Sequence, residues 1–207
     1  SIKDVLNRNG FLELVGLGAH TKDTKQTTIP IFIGYSQDTD RILEFLYNQV
    51  FSYVQWPNHL NKDHEIDAIN SAIYEITRNI NEHSGSNTVY MCGQFYPSLR
   101  QLRFSIVDNG VSIPTNLRTH ISDMSFDSDE DLIDWSTRQG NSTKDTPASG
   151  LGLFDIKNNM LDNGELIIMS SGGFWKQTSQ GTIIKCPLGA TMPGTMLHLN
   201  FSLKDSN

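Results

Sequence analysis

Glu75 and Asn79 lie four positions apart in the run Glu75-Ile76-Thr77-Arg78-Asn79-Ile80-Asn81-Glu82-His83, and His83 extends that row by another four. On a helix all three share one face. A carboxylate and an amide held there can bind a hydrated cation through hard oxygen ligands, as Mg2+ prefers. The carboxylate can instead orient a nucleophile for attack. Taken alone, such a pair is more often an ordinary solvated face.

Three further segments carry residues suited to chemistry. Val107-Asp108-Asn109-Gly110-Val111-Ser112-Ile113 ends an apolar run in a carboxylate and a glycine. An Asp at the rim of a sheet can accept a hydrogen bond from an exocyclic amine, although Asp-Asn-Gly is also a common turn. Ser149-Gly150-Leu151-Gly152-Leu153 opens a second periodic segment. Glycines at a helix start let backbone N–H groups approach phosphate oxygens, which the helix dipole favours. Ser142, Thr143 and Lys144 stand just upstream as extra donors and a cation. A short G-x-G is common enough to arise as a plain turn. Pro193-Gly194-Thr195 opens the last apolar run, where Thr195 can reach a ligand through its hydroxyl or simply favour a strand.

The elements that must position these residues follow from periodicity. Thr27 to Tyr35 is β-rich, and Pro30 within it predicts an edge strand. Capping residues at 36–40 precede Ile42, Leu43, Leu46, Val50 and Val54 at helical spacing, ending near Trp56-Pro57. A second helix, from about His64 to Glu82, places Ile66, Ile69, Ile73, Ile76 and Ile80 in one stripe. Strands at Thr88–Phe95 and Leu99–Val107 join through Tyr96-Pro97-Ser98. A long polar stretch, Asp108 to Ser149, follows with a short helix around Asp129–Thr137, and such a length reads as a lid or binding loop. The helix opened by Gly150 closes at Asn163-Gly164, and strands at Glu165–Ser170, Thr182–Cys186 and Met196–Leu203 complete the chain. This order predicts an α/β sandwich with helices on one face of a mixed, mostly antiparallel sheet. Residues 1–26 read as a lead-in strand or linker, and 27–207 as one domain with the lid at about 114–149.

Bulk composition narrows the function. The 207 residues carry 16 Lys and Arg against 23 Asp and Glu, a net charge of −7 that argues against a direct nucleic-acid partner. Six of those acids fall between Asp123 and Asp134, within the lid region: Asp123, Asp127, Asp129, Glu130, Asp131 and Asp134. They read as a solvated loop or a partner-binding face. Cys92 and Cys186 are the only cysteines, which excludes a disulfide framework and a four-cysteine zinc site. No apolar run is long enough for a membrane span. Without a signal-peptide pattern or an initiator Met at Ser1, a cytoplasmic chain is expected, trimmed or taken from a longer protein.

In this order and at these spacings the four segments resemble the boxes of the GHKL ATP-binding superfamily, which includes gyrases, heat-shock chaperones, histidine kinases and mismatch-repair ATPases. The run from Glu75 to His83 resembles its N box, Asp108 to Ser112 its first glycine box, Gly150 to Leu153 its second, and Gly194-Thr195 its last. The resemblance spans residues from about 27 to 203 and implies a Bergerat-type two-layer fold that binds ATP with Mg2+. It makes Glu75 the catalytic or water-orienting carboxylate, Asn79 the Mg2+ ligand and Asp108 the adenine-binding carboxylate. It places His83, Gly110, Ser112, Ile113, Lys144, Gly150, Leu151, Gly152, Leu153 and Thr195 around the nucleotide. Gly181-Thr182 competes for the last box, but Gly194-Thr195 leaves Phe174 to Met192 as an inserted hairpin.

Ser112 stands where the first glycine box usually has its second glycine, so a Cβ is expected to crowd the base. No helical hairpin precedes Thr27, and His20 sits in a Gly-Ala-His-Thr-Lys context that does not suit a phosphoacceptor. Within the superfamily the layout is closest to stand-alone histidine-kinase-like domains and anti-sigma-factor serine kinases. That implies phosphate transfer to a separate protein partner or adjoining domain, with a homodimer as one possible assembly. The alternative is a nucleotide-gated interaction module whose lid orders around bound ATP.

Overall fold

The computed structural model describes residues 1–51, 71, 73–121, 128–141 and 152–202. Five strands form one sheet in the order β1-β2-β3-β5-β4, with β1 at Thr28–Tyr35, β2 at Thr88–Tyr96, β3 at Gln101–Asp108, β4 at Gly164–Gln177 and β5 at Ile183–Ser202. Every pairing is antiparallel, so the sheet has the antiparallel character expected without a parallel pair. β1 lies at an edge, as Pro30 predicts, and its pairing with β2 slips between Ile29 and Phe32 around that proline.

Alternation along the strands sends one set of side chains into the core. Leu102, Phe104 and Ile106 of β3 share it with Val89 and Met91 of β2, Leu197 and Leu199 of β5, and Leu166 and Ile168 of β4. Helices cover this face. α3 (Thr39–Phe45), capped by Asp38 through the Arg41 N–H, runs on into a wider π turn over Leu46–Phe51 and buries Ile42, Leu46 and Val50. Leu43 points out at 41% exposure, which narrows the expected stripe. α4 is described over residues 73–79 and also ends in a π turn, Ile80–Ser84. Ile73, Ile76 and Ile80 all sit in the core, whereas Ile66, Ile69, Val54 and Trp56 lie outside the described residues. α5 (Ile113–His120), α6 (Asp129–Ser136) and α7 (Gly152–Met160) complete the second layer, with Ile133, Ile156 and Met160 fully buried. The chain is therefore a two-layer α/β fold.

Besides α5, which forms over Ile113–His120 inside the stretch expected as a lid, two regions differ from the sequence expectation. Residues 1–26 form neither a strand nor a bare linker. α1 (Ile2–Arg8) starts with a capping box between Ser1 and Asp4, and α2 (Phe11–Leu14) follows. The segment is tied to β1: Ile31 donates its N–H to the Asn9 carbonyl, and the Asp23 carboxylate accepts from the N–H groups of Thr27 and Thr28. Burial pushes the Asp23 carboxyl up, but those bonds, with the Thr28 hydroxyl and the Lys25 N–H, hold it below the ordinary range, and Arg8 lies 3.3 Å from the same carboxylate.

The second is the hairpin after Ser170. β4 and β5 slip in register at Ser171 and Gly173, Ser171 adopts a left-handed φ of 54°, and the hairpin turns back on itself. Lys176 consequently touches Glu165 at 2.7 Å, eleven positions earlier on the same strand, a separation of about 36 Å if β4 were straight. Trp175 is fully buried and donates its indole N–H to Asp134 of α6, and Gln177 reaches the Lys157 carbonyl of α7. The acidic run does the holding. Asp129 accepts from the Gly172 N–H and from Arg118, and Asp131 pairs with Lys185 at 2.7 Å. The described acids of that run, apart from Glu130, are clamps between α6 and the hairpin, which corrects the reading of a solvated loop; Asp123 and Asp127 lie outside the described residues. Partners of opposite charge and the Trp175 indole keep the Asp134 carboxyl low against the effect of burial.

Trp175→Ala is expected to cost about 3–5 kcal/mol in urea unfolding, because a buried indole and its hydrogen bond both go. Lys185→Ala, at an exposed pair, is expected to cost about 1 kcal/mol or less by the same measurement.

Candidate functional site

The end of β3 is where the sequence-predicted residues meet. Asp108 is only 2% exposed and pairs across the sheet with Thr195 of β5, which is itself paired with Ser170 of β4. Its Oδ1 accepts the Gly110 N–H at 2.8 Å. Burial pushes the Asp108 carboxyl above the ordinary range, and bonds from the Gly110 N–H, the Ser84 hydroxyl and the Thr195 N–H pull it only part of the way back.

Glycines permit this crowding. A Cβ on Gly110 would enter the Ser84 backbone carbonyl at the end of α4. One on Gly194, whose φ is 71°, would meet the Asp108 carbonyl carbon at 2.8 Å. The Val111 N–H also donates to Ser84 O at 2.7 Å, and Asn116 of α5 donates to the His83 carbonyl at 2.8 Å. The segment from Asp108 to Asn116 is thus laid against the end of α4.

Gly152 brings α7 to the same helix. A Cβ there would stand 2.6 Å from Asn79 Nδ2 and would overlap a Glu75 carboxylate oxygen. Glu75 and Asn79 therefore share the face predicted for them, opposite the start of α7. The Asn79 Nδ2 is buried without a hydrogen-bond partner. Glu75 is held by Arg78, three residues on, through Nε at 3.2 Å and through a second, shorter contact. A cleft of about 350 Å³ runs along Glu75 between α4 and α7, lined also by Ser71, Asp155, Ile156, Asn158 and Asn159.

The remaining predicted residues take varied places. Ser112 is the N-cap of α5, in extended backbone, accepting from the Thr115 N–H. A serine is suited there because the loop turns directly into a helix. Ile113 packs against the core and donates its N–H to Ser170 at 2.9 Å, while Leu153 also packs on the core. His83 stands on the π turn beside Glu82, 4.0 Å away, where the wider turn alters its angle to the Glu75–Asn79 row. Thr182, the competing threonine, is at the hairpin tip beside Thr178. Lys144, Gly150 and Leu151 lie outside the described residues, as do Ser142 and Thr143.

Sequence reasoning passed over Arg78, Asp155 and Ser170. Asp155 was signalled by its spacing, three after Gly152 on the same helix, and Arg78 by its position within the Glu75 run. Ser170 carried no local signal, since its role comes from strand pairing.

Among the described residues no cluster of three or more His, Cys, Asp or Glu side chains could hold a metal by itself. A divalent cation fits only in the manner of Mg2+, with Asn79 as one oxygen ligand and the rest from water and a ligand's phosphates. The side-chain-free cradle at Gly152, whose absent Cβ leaves Asn79 Oδ1 uncovered on that side, is consistent with that, while the unpartnered Asn79 Nδ2 is a donor left for a ligand's oxygen. Among the described residues no helix is long and apolar enough to cross a membrane. No protein-family model matches the chain, and no curated protein matches it.

Because the Asp108 carboxyl is raised above 3.8, the folded chain holds its proton more tightly than the unfolded chain, and the ionised group costs stability at neutral pH. Asp108→Asn is expected to raise the urea midpoint at pH 7, with the difference shrinking as the pH falls towards 3.8. Parallel unfolding curves at several pH values check it.

Proposed function

We propose that this chain is a GHKL-type domain that binds ATP with Mg2+ and transfers the γ-phosphate to a hydroxyl of a separate protein. The observation that carries the reading is the convergence of Asp108 with Thr195, and of Glu75 and Asn79 with Gly152, from segments far apart in sequence. Asp108 would accept the exocyclic amine of adenine at the sheet rim. Asn79 would hold the Mg2+, which neutralises phosphate charge when bound. Gly152 and the start of α7 would face the phosphates, with no Cβ to keep the backbone away. Glu75, beside that start, would accept the proton of the attacking hydroxyl.

One observation favours the second reading, a nucleotide-gated interaction module. Glu75 is engaged by Arg78 on both carboxylate oxygens, so the lone pairs that a base would offer a hydroxyl are already taken up by a guanidinium. Arg78 also reaches Glu82 at 3.5 Å, so transfer requires the guanidinium to shift towards that second carboxylate.

Substitutions separate the readings. Glu75→Ala is expected to keep ATP affinity within about threefold while label transfer from γ-labelled ATP to proteins of a cell extract falls about a hundredfold or more. Transfer at the parental rate by that variant would remove Glu75 as the base, whereas a parent that binds ATP without transferring label, and a Glu75→Ala variant that still regulates its partner, would place the chain among gated modules instead. In titrations with and without a chelator, parental affinity is expected to fall about tenfold on Mg2+ removal, and Asn79→Ala to show almost no such dependence. Asp108→Asn that binds ATP as tightly as the parent would sink the adenine assignment.

A further inference from the structure

Ser170 is fully buried at the level of the sheet where Ser170, Thr195 and Asp108 pair across β4, β5 and β3. Its hydroxyl oxygen has three neighbours: the Ile113 N–H at 2.9 Å, the Gly194 carbonyl at 3.1 Å and the Thr195 hydroxyl at 2.8 Å. A serine hydroxyl has one proton and two lone pairs. The Gly194 carbonyl can only accept, so it takes the proton. The Ile113 N–H can only donate, so it takes one lone pair. The arrangement that serves all three neighbours leaves one lone pair facing Thr195, and in it Thr195 donates its own proton to Ser170.

We propose that Ser170 is a positioning residue that fixes the direction of the Thr195 hydroxyl, so that Thr195 and Asp108 offer lone pairs side by side to a ligand's amino group. The inference rests on the nucleotide reading above and deepens it to base selection. An amino group has two protons to give and meets two acceptors. A 6-oxo purine puts its own lone pairs against them, and nothing on Thr195 can turn to meet it while Ser170 holds the proton. Ser170 contacts no base in this scheme; it acts through Thr195, and through Ile113 it ties the first turn of α5 to the same hydroxyl.

The test is titration of the full chain with ATP and with inosine triphosphate, which differs in carrying an oxo group where ATP carries the amine, in excess Mg2+. The parent is expected to prefer ATP by about tenfold or more. In Ser170→Ala the Thr195 hydroxyl is free to rotate and donate, so the preference should fall to about threefold or less, chiefly because inosine triphosphate binds better. Ser170→Cys, nearly isosteric with a weak acceptor, should shift the same way and serves if the alanine variant does not fold. A purely structural role would weaken both nucleotides alike and leave the ratio unchanged. Thr195→Val should also lose the preference, and adding Ser170→Ala to it should change the ratio no further. ATP binding with the parental ratio in both Ser170 variants overturns the role of Ser170 alone. A parent that binds neither nucleotide overturns the nucleotide reading and this inference with it.

Discussion

Three stretches of backbone meet at the end of β3 with no room for a side chain between them. The last turn of α4 presses its Ser84 carbonyl on Gly110, and the start of the inner part of β5 presses Gly194 on the Asp108 carbonyl. Glycine is required at both points, at Gly194 also by its left-handed φ. Almost everything else about the site follows from this contact. It buries Asp108, sets Thr195 opposite it, and leaves the Asn79 and Glu75 side chains facing the start of α7.

The contact also explains why, among the described residues, it is here that a charged side chain is buried. The core cluster is built from isoleucine, leucine, valine, phenylalanine, methionine and one tryptophan, while Asp108 continues the inward-facing set of β3 as its last member. A carboxylate at that level is held against its desolvation by N–H groups supplied from the crowded backbone. Unfavourable ionisation in the folded state is the usual mark of a group kept for binding rather than for stability.

Much of this was legible in the sequence because it rests on local periodicity. The isoleucines of α4, the alternation in β2 and β3, and the proline of an edge strand all report geometry within a few residues of themselves. The preference for Thr195 over Thr182 followed from strand continuity, and strand pairing sets Thr195 opposite Asp108. What could not be read depends on contacts distant in sequence. The acids of α6 look like any solvated run until the hairpin turns back and supplies Lys185, Trp175 and the Gly172 N–H. Ser112 resembled a defect in a glycine box, yet its side chain caps a helix that the box alone does not announce. α1 went unread because its seven residues have no buried member and so show no stripe.

The attachment of residues 1–26 to β1 has a consequence for self-association. An edge strand is a row of unsatisfied donors and acceptors, and separate copies of a protein readily join along such rows. On the first half of β1 no outward donor is left open: Thr28 gives its N–H to Asp23, Pro30 has none, and Ile31 gives its own to Asn9. The lead-in segment thus acts as a cap on the sheet. A chain beginning at Thr27 would expose a strand-pairing template that the longer chain keeps closed.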